Sequence, residues 1–390
     1  MIARPPPRGW NSGNTFGENI SDSLIREMAD RMVSDGYRDA GYEYLVIDDC
    51  WSLRQRSADG KLVPDPAKFP HGMKAVADYV HSKGLKFGMY SCAGVRTCAG
   101  YPSSYDHEFV DAQTFADWGV DFLKYDFCNF PASGDCKTRY LTMSMALKAT
   151  GREILFSACN WGQQEPGQWM RQIGAHMYRS TGDIFDNFKS FTDIAKSQMD
   201  KLHMSGSYCF NDMDMLTVGM CGKGNVGLGK VCTYEEYRLQ FTLWCLCGVP
   251  LMMGADLRSL DAAYKDLLQN KALLRINQDE ECRAPYLVRR DCVIVTENGT
   301  WRQIPDSAFI LLRHLSDHEF ALFYANLADE RAEVHGEFVD MGLPVTSGVA
   351  LDMTDVFTGE HIGPVTDFYN PRIQGHDCKL YLCKLVKTHA

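Results

Sequence analysis

The strongest constraint on the fold is a unit that repeats through the first half of the chain. Each unit contains an amphipathic helix, a glycine at the helix end, and a short apolar strand followed by polar residues. The glycine supplies the left-handed backbone conformation that ends a helix and turns the chain back. The strands are expected to run parallel, because a helical crossover returns the chain to the same end of the sheet. The clearest strands are YEYLVIDD, LKFGMY, VDFLKYD and EILFSACN.

Further strand-like segments continue the pattern less clearly. They are HMYRSTGD, SYCFND and CGVPLMMG, together with a first strand at Arg8–Asn11. The total of about eight strands favours a closed (β/α)8 barrel, the TIM barrel, over an open sheet. An open doubly wound sheet is the alternative, and it is weakened because no GxGxxG motif follows the first strand.

The pattern changes from about Asp279 onward. Short β-type runs separated by Asp, His, Gly and Asn turns are typical of an antiparallel β-sandwich. We therefore predict a catalytic barrel over residues 1–279, followed by an antiparallel β-sandwich domain over residues 280–390.

The composition limits the classes of molecule that the protein is expected to bind. The net charge of -10 disfavours nucleic acid and anionic membranes, and leaves a neutral small-molecule substrate open. The composition is also compatible with assembly of the chain into a homo-oligomer. The chain start lacks the apolar stretch of a secretory signal, and the 15 scattered cysteines suit a reducing compartment. We expect a cytoplasmic protein, or a secreted one if a signal has been removed. No glycine fingerprint or histidine-rich ligand set indicates a cofactor or metal.

The candidate functional residues lie where the predicted strands end. Barrel enzymes carry their catalytic groups there, and Asp is otherwise a poor strand residue. A single Asp at such a place is often a helix N-cap, and a single Trp more often belongs to the core. Carboxylates and aromatic rings at successive strand ends suit a sugar, which needs hydrogen bonds and an apolar platform. The candidates are Trp10, Asp48, Asp49, Trp51, Tyr90, Lys124, Asp126, Cys159, Asn160, Trp161, Arg179, Asp183 and Asp212.

Two of these carboxylates fit complementary catalytic roles. Asp126 directly follows a strand, and Lys124 lies on the same side of that strand. A buried lysine beside a carboxylate keeps it ionised, as a nucleophile requires. Asp183 is the candidate for the group that donates a proton in one step and accepts one in the next. Two carboxyl groups about 5–5.5 Å apart would make the enzyme retaining.

At these residues the sequence resembles glycoside hydrolase family 27 of clan D, the α-galactosidases and α-N-acetylgalactosaminidases, in the form of a bacterial-type member. The resemblance runs through RPPPRGWNSGNTFG, YEYLVIDDCW, GLKFGMYS, TCAGYPSS, DAQTFADWGVDFLKYDFCN, RSTGDIFDNF, FNDMDMLTVG and RINQD. It implies a retaining, exo-acting α-galactosidase that cleaves terminal α-D-galactosides by double displacement. It also implies that Asp126 is the nucleophile and Asp183 the acid/base.

The resemblance further implies substrate contacts and a disulfide. Asp48 and Asp49 match the pair that holds the 4- and 6-hydroxyls of the sugar. Cys98 and Cys128 match a cysteine pair that is disulfide-bonded beside the pocket. Further pocket positions are matched by Tyr90, Cys98, Lys124, Arg179 and Met215.

The sequence departs from the family at three positions. Gly13 replaces a tryptophan that packs against the sugar, so a wall is lost unless an aromatic residue of a neighbouring loop fills the space. Asn160 replaces a glutamate near the sugar's 2-position, and Met213 replaces a proline. The alternatives are therefore an α-N-acetylgalactosaminidase, a β-L-arabinopyranosidase or a hydrolase of a bulkier, decorated galactoside. A sugar-binding protein that has lost catalysis is the non-enzyme alternative.

Overall fold

The computed structural model describes residues 2–388, with eight parallel strands, nine α-helices and ten further strands in that part of the chain. The parallel strands are β1 (Arg8–Asn11), β2 (Tyr44–Val46), β3 (Lys86–Cys92), β4 (Phe122–Asp126), β5 (Leu155–Cys159), β6 (Met177–Arg179), β7 (Phe210–Asp212) and β8 (Leu251–Met253). The helices are α1 (Gly13–Phe16), α2 (Asp22–Ser34), α3 (Gly72–Ser82), α4 (Glu108–Asp117), α5 (Cys136–Ala149), α6 (Phe188–Gln198), α7 (Tyr234–Cys247), α8 (Ala262–Leu268) and α9 (Lys271–Asn277).

The first eight strands form a closed barrel. Strands β1 to β7 pair in sequence order, and β8 pairs with β1. The ring closes where Leu216, just after β7, bridges to Met253 in β8. At this point the Leu216 N–H donates to the Met252 carbonyl over 2.8 Å, and the Gly254 N–H donates to the Leu216 carbonyl over 3.1 Å. The predicted (β/α)8 barrel is thus confirmed.

The helices around the barrel follow the sequence pattern. In α2, Ser21 caps the first turn by accepting the Leu24 N–H over 3.2 Å. Leu24, Met28 and Met32 are buried on one face, as their spacing predicts. Gly36 then adopts a φ of +88°, the left-handed conformation that lets the chain turn back after the helix.

The remaining strands are antiparallel. They are β9 (Tyr286–Glu297), β10 (Thr300–His314), β11 (Phe320–Asn326), β12 (Ala332–Glu333), β13 (Gly336–Glu337), β14 (Val349–Asp355), β15 (His361–Val365), β16 (Phe368–Tyr369), β17 (Arg372–Ile373) and β18 (Asp377–Lys387). Eight of them form one sheet in the order β15-β14-β18-β11-β10-β9-β12-β17, and β13 pairs with β16. Val334 and Phe338, which lie outside this sheet, belong to the same buried apolar cluster as the sheet residue Ile373. The predicted C-terminal antiparallel domain is confirmed.

Helix α7 belongs to the same compact unit as the antiparallel sheet. That unit comprises residues 195–206 and 232–248 together with the chain from residue 270, and the other unit holds the barrel strands. The predicted boundary between residues 279 and 280 stays a prediction. Within the described chain, no helix has both the length and the apolar character needed to cross a lipid bilayer.

A buried arginine ties α7 to this sheet. Arg313 on β10 is 1% exposed, and its Nη1 donates to the carbonyls of Cys245 and Leu246, over 3.1 Å in each case. These carbonyls lie in the last turn of α7, where few backbone donors remain, and the Cys245 carbonyl also accepts the Gly248 N–H over 3.2 Å. The guanidinium therefore donates hydrogen bonds to carbonyls at the C-terminus of α7, and its positive charge lies at the negative end of the helix dipole.

Replacing Arg313 with methionine is expected to lower the free energy of unfolding by about 1–3 kcal/mol, because two buried carbonyls each lose a hydrogen bond. Urea denaturation followed by circular dichroism measures the change. Arg302→Met is the matched control on the same strand, since Arg302 is exposed and pairs with Glu330 at the surface. It should change stability by no more than about 0.5 kcal/mol. Equal stabilities for the two variants would contradict this role of Arg313.

Candidate active site

A cavity of about 340 Å³ lies at the C-terminal ends of the barrel strands. It is lined by residues of β3, β4 and β6 and of the segments that follow β1, β2, β3, β6 and β7. The lining residues are Gly13, Asn14, Gly17, Asp48, Asp49, Cys50, Tyr90, Cys98, Lys124, Asp126, Arg179, Asp183, Asp214, Met215, Asn225 and Val226. Both predicted catalytic carboxylates, Asp126 and Asp183, thus open into one cavity.

Asp126 is held rigidly at the end of β4. Its Oδ1 accepts hydrogen bonds from the Phe127 N–H at 2.8 Å and from Trp161 Nε1 at 3.0 Å. Its Oδ2 accepts one from the Tyr90 hydroxyl at 3.0 Å. Three donors on two oxygens fix the carboxylate plane and favour the ionised form. Burial is the stronger influence, however, and the pKa of Asp126 is raised above its ordinary value.

Lys124 pairs with Asp48 rather than with Asp126. Its Nζ lies 2.8 Å from Asp48 Oδ2, which also accepts a hydrogen bond from Asn11 Nδ2 at 2.9 Å. Burial opposes ionisation of Asp48, yet the Lys124 charge and these hydrogen bonds hold the pKa of Asp48 below its ordinary value. Lys124 therefore acts on Asp126 as a nearby charge and not as a direct ionic partner. Its charge counteracts the effect of burial on the pKa of Asp126 only in part.

Asp183 shares an arginine with a second carboxylate. Arg179 Nη2 lies 2.7 Å from Asp183 Oδ1, and Arg179 Nη1 lies 2.9 Å from Asp214 Oδ1. The Asp183 side chain is 69% exposed, whereas those of Arg179 and Asp214 are buried. Asp214 Oδ2 accepts the Ile184 N–H over 2.8 Å, which anchors the chain next to Asp183. Asp183 can therefore exchange protons with solvent from a fixed position.

A disulfide joins Cys98 and Cys128 beside the cavity, as the resemblance implies. Cys98 Sγ lies 3.5 Å from Asp126 Oδ2. The two sulfurs and an oxygen of Asp126 lie within 4.8 Å of one another. This arrangement does not suit a metal, because the sulfur ligand in proteins is the thiolate and both sulfurs are already bonded.

Asp49 is held at the cavity edge by backbone donors. Its Oδ2 accepts the Ala99 N–H over 2.9 Å, and its Oδ1 accepts the Cys50 N–H over 2.7 Å. Burial raises the pKa of Asp49, against the effect of these hydrogen bonds. Asp48 and Asp49 thus face the same cavity with pKa values shifted in opposite directions.

Among the described residues, two tryptophans predicted to contact the substrate lie in the core instead. Trp10 is fully buried and donates from Nε1 to the Ala255 carbonyl over 2.8 Å. Trp51 packs its ring 5.7 Å from that of Trp118 and donates to the Tyr90 carbonyl over 3.0 Å. Their indole N–H groups are satisfied by backbone carbonyls, so the stacking role predicted for these rings is corrected.

Three further predicted contacts lie outside the cavity lining in the described part of the chain, namely Cys159, Asn160 and Asp212. Cys159 is buried at the end of β5. Asn160 is buried and donates from Nδ2 to the Gln163 carbonyl over 2.5 Å, within a turn where Trp161 has a φ of +55°. Asp212 accepts the Asp214 N–H over 2.9 Å, and burial raises its pKa to about 6. The predicted contact of Asn160 with the sugar's 2-position is therefore corrected.

Several cavity residues were not predicted from the sequence. Asp214 lies two residues beyond β7 with a φ of +72°, so it falls outside the strand-end pattern. The acidic motif NDMD was the available signal for it. No sequence signal marked the other overlooked residues, which lie in α1 or in loops. These are Asn14, Gly17, Cys50, Asn225 and Val226.

The wall beside Gly13 is formed by polar and aliphatic groups. Asn225 Nδ2 donates to the Gly13 carbonyl over 3.3 Å, and Val226 follows it along the cavity lining. The two alternatives for this place were a lost wall and an aromatic residue from a neighbouring loop, and the described cavity lining has Asn225 and Val226 there.

The barrel, the paired carboxylates and their buried donors define a glycosidase-type site. A family model described as alpha galactosidase A matches residues 13–279. The chain is 40% identical over 383 residues to an alpha-galactosidase from Cyamopsis tetragonoloba, covering 98% of this chain and 86% of that protein. It is 37% identical over 383 residues to an alpha-N-acetylgalactosaminidase from Gallus gallus, covering 93% of this chain and 88% of that protein.

A solved structure shows the same fold. Alpha-galactosidase I from Mortierella vinacea superposes with a TM-score of 0.89 at 30% identity, covering 100% of this chain and 99% of that one. The chain belongs to the alpha galactosidase A family.

Replacing Lys124 with methionine is expected to move the acidic limb of the kcat/KM profile to higher pH by about one unit. A nucleophilic Asp126 is active above its pKa and loses activity as the pH falls through it. Removing the positive charge raises that pKa further. Hydrolysis of a nitrophenyl glycoside across the pH range gives the profile. Lys74→Met, which removes an exposed lysine paired with Asp78, is the control. An acidic limb that stays in place in Lys124→Met would refute this coupling.

Proposed function

We propose that the protein is a retaining α-galactosidase that removes terminal α-D-galactosyl groups by double displacement. The observation that carries this proposal is the single cavity into which Asp126 and Asp183 both open. Asp126 is 5% exposed and fixed by three donors, whereas Asp183 reaches solvent. One buried and one exposed carboxyl suit a nucleophile and an acid/base, respectively.

In the first step, Asp126 attacks the anomeric carbon while Asp183 gives its proton to the departing glycosidic oxygen. The bond to the aglycone breaks, and a covalent galactosyl ester forms on Asp126. The donors Tyr90, Trp161 and the Phe127 N–H orient the attacking carboxylate. In the second step Asp183 accepts a proton from water, which attacks the same carbon and releases galactose and free Asp126.

Arg179 supports both protonation states of Asp183. When Asp183 is ionised, the guanidinium is paired with both Asp183 and Asp214. When Asp183 is protonated, Arg179 keeps Asp214 as an ionic partner. The buried charge of Arg179 is therefore compensated throughout the cycle, which avoids the cost of several kcal/mol for an uncompensated buried ion.

The sugar itself is bound by the part of the cavity that contains Asp48 and Lys124. Asp48 offers a carboxylate beside the Lys124 ammonium, so acceptor and donor groups lie 2.8 Å apart. Adjacent hydroxyls of a pyranose can donate to one and accept from the other. The net charge of -10 also supports a neutral carbohydrate over nucleic acid. An α-N-acetylgalactosaminidase is the second candidate, because a relative of that name is 37% identical to the chain.

The proposed activity is tested with nitrophenyl α-galactoside, α-N-acetylgalactosaminide and β-L-arabinopyranoside. We expect the highest kcat/KM on the α-galactoside, and proton NMR should show the α-anomer of galactose as the first product. Asp126→Ala should lower kcat by about 10⁴-fold, because the covalent route is lost. Asp117→Asn, on the surface of α4, is the control.

Two results would count against the proposal. The β-anomer as first product would exclude retention. A higher kcat/KM on either competing glycoside would exclude galactose as the preferred sugar.

A further inference from the structure

A glycine-rich loop, residues 222–229, contributes to the cavity although it lies beyond the strand ends. We call it the glycine loop. Its four glycines include Gly224, which has a φ of +82°. A Cβ on Gly224 would lie 2.5 Å from the Asn14 carbonyl oxygen and 2.7 Å from Thr15 Cα. The loop thus approaches the segment after β1 more closely than any side chain at this position would allow.

The glycine loop is anchored on that segment by its backbone. The Asn225 N–H donates to the Asn14 carbonyl over 2.8 Å. The Asn225 side chain adds the longer hydrogen bond to the Gly13 carbonyl, at 3.3 Å. The backbone bond holds the loop whatever side chain stands at position 225, so the side chain can be changed without releasing the loop.

A second set of bonds joins the glycine loop to the chain that follows Asp183. The Asp186 N–H donates to the Val226 carbonyl over 2.8 Å, and Asp186 Oδ2 accepts the Gly222 N–H over 2.7 Å. Asn187 Nδ2 donates to the Leu228 carbonyl over 2.7 Å. The loop therefore joins the segment at Gly13 to the segment that carries Asp183.

Gly13 cannot easily supply this wall itself. A Cβ at Gly13 would lie 3.0 Å from Asp48 Cγ and 3.1 Å from Asn11 Oδ1. A Cβ there would be in tight contact with the carboxylate that pairs with Lys124, which would have to shift slightly. The glycine at position 13 leaves room for Asp48, and the side chains on this part of the cavity wall come from Asn225 and Val226.

We infer that Asn225 is a specificity-determining residue whose carboxamide hydrogen-bonds one hydroxyl of the bound sugar on the side of Asp48, with Val226 as the adjoining apolar surface. This inference rests on the proposed function. A carboxamide has a donor and an acceptor at fixed positions, so it distinguishes the presence of a hydroxyl from its absence. An aliphatic or aromatic wall would make that distinction weakly.

The test compares wild type and Asn225→Ala on nitrophenyl α-galactoside and on its 2-, 3-, 4- and 6-deoxy analogues. We expect Asn225→Ala to lower kcat/KM by about tenfold on the parent and on three analogues. On the analogue that lacks the hydroxyl bound by Asn225, wild type and Asn225→Ala should have equal kcat/KM, because the hydrogen bond is already absent from the wild-type complex. Lys223→Ala, which alters an exposed neighbour in the same loop, is the matched control and should behave as wild type.

Two outcomes would overturn the inference. Unchanged kcat/KM on the parent would show that Asn225 makes no productive contact. A loss of equal size on all five substrates would place its effect in loop structure rather than in a hydroxyl contact.

Calorimetry of galactose binding separates this inference from the proposed function, since it needs no turnover. Asn225→Ala should bind galactose about tenfold more weakly than wild type. Equal affinities would overturn the inference even if wild type hydrolyses the galactoside. Absence of that hydrolysis by wild type would instead contradict the proposed function.

Discussion

The ion pair between Lys124 and Asp48 is the interaction on which the arrangement of the cavity depends. Both charges lie at the end of the barrel, where an unpaired ion would cost several kcal/mol. The pair keeps Asp48 ionised and leaves Asp126 without a direct cation. Asp126 is instead stabilised by neutral donors, which include the Tyr90 hydroxyl and the Trp161 indole N–H. In the proposed mechanism, this separation assigns Asp48 to sugar binding and leaves Asp126 free to react.

Chemistry and specificity are carried by different parts of the fold. Asp126 and Arg179 are the last residues of barrel strands, where neighbouring strands fix the backbone. The wall beside Gly13 is formed by loops, with Asn225 held by backbone bonds rather than by sheet pairing. Loops tolerate sequence change better than strands do. The proposed catalytic groups can therefore stay fixed while the wall proposed to contact the sugar varies.

The sequence predicted the barrel and the strand-end carboxylates well, because both follow from local periodicity. It could not give the partner of Lys124, which depends on register across three strands. Val46, Gly88 and Phe122 are paired in register, so the residues two positions further on, Asp48, Tyr90 and Lys124, share one layer. The burial of Asn160 and the exposure of Asn225 also escaped prediction, since turn conformation and loop docking leave no periodic signal.

The most direct test of the account is the identity of the residue that becomes glycosylated. A fluorinated α-galactosyl fluoride that slows the second step should trap the covalent intermediate. Mass spectrometry of the digested protein should then find one sugar on the peptide that contains Asp126, attached to the side-chain carboxylate of Asp126. A sugar on Asp183, or turnover that proceeds without any covalent adduct, would contradict the account.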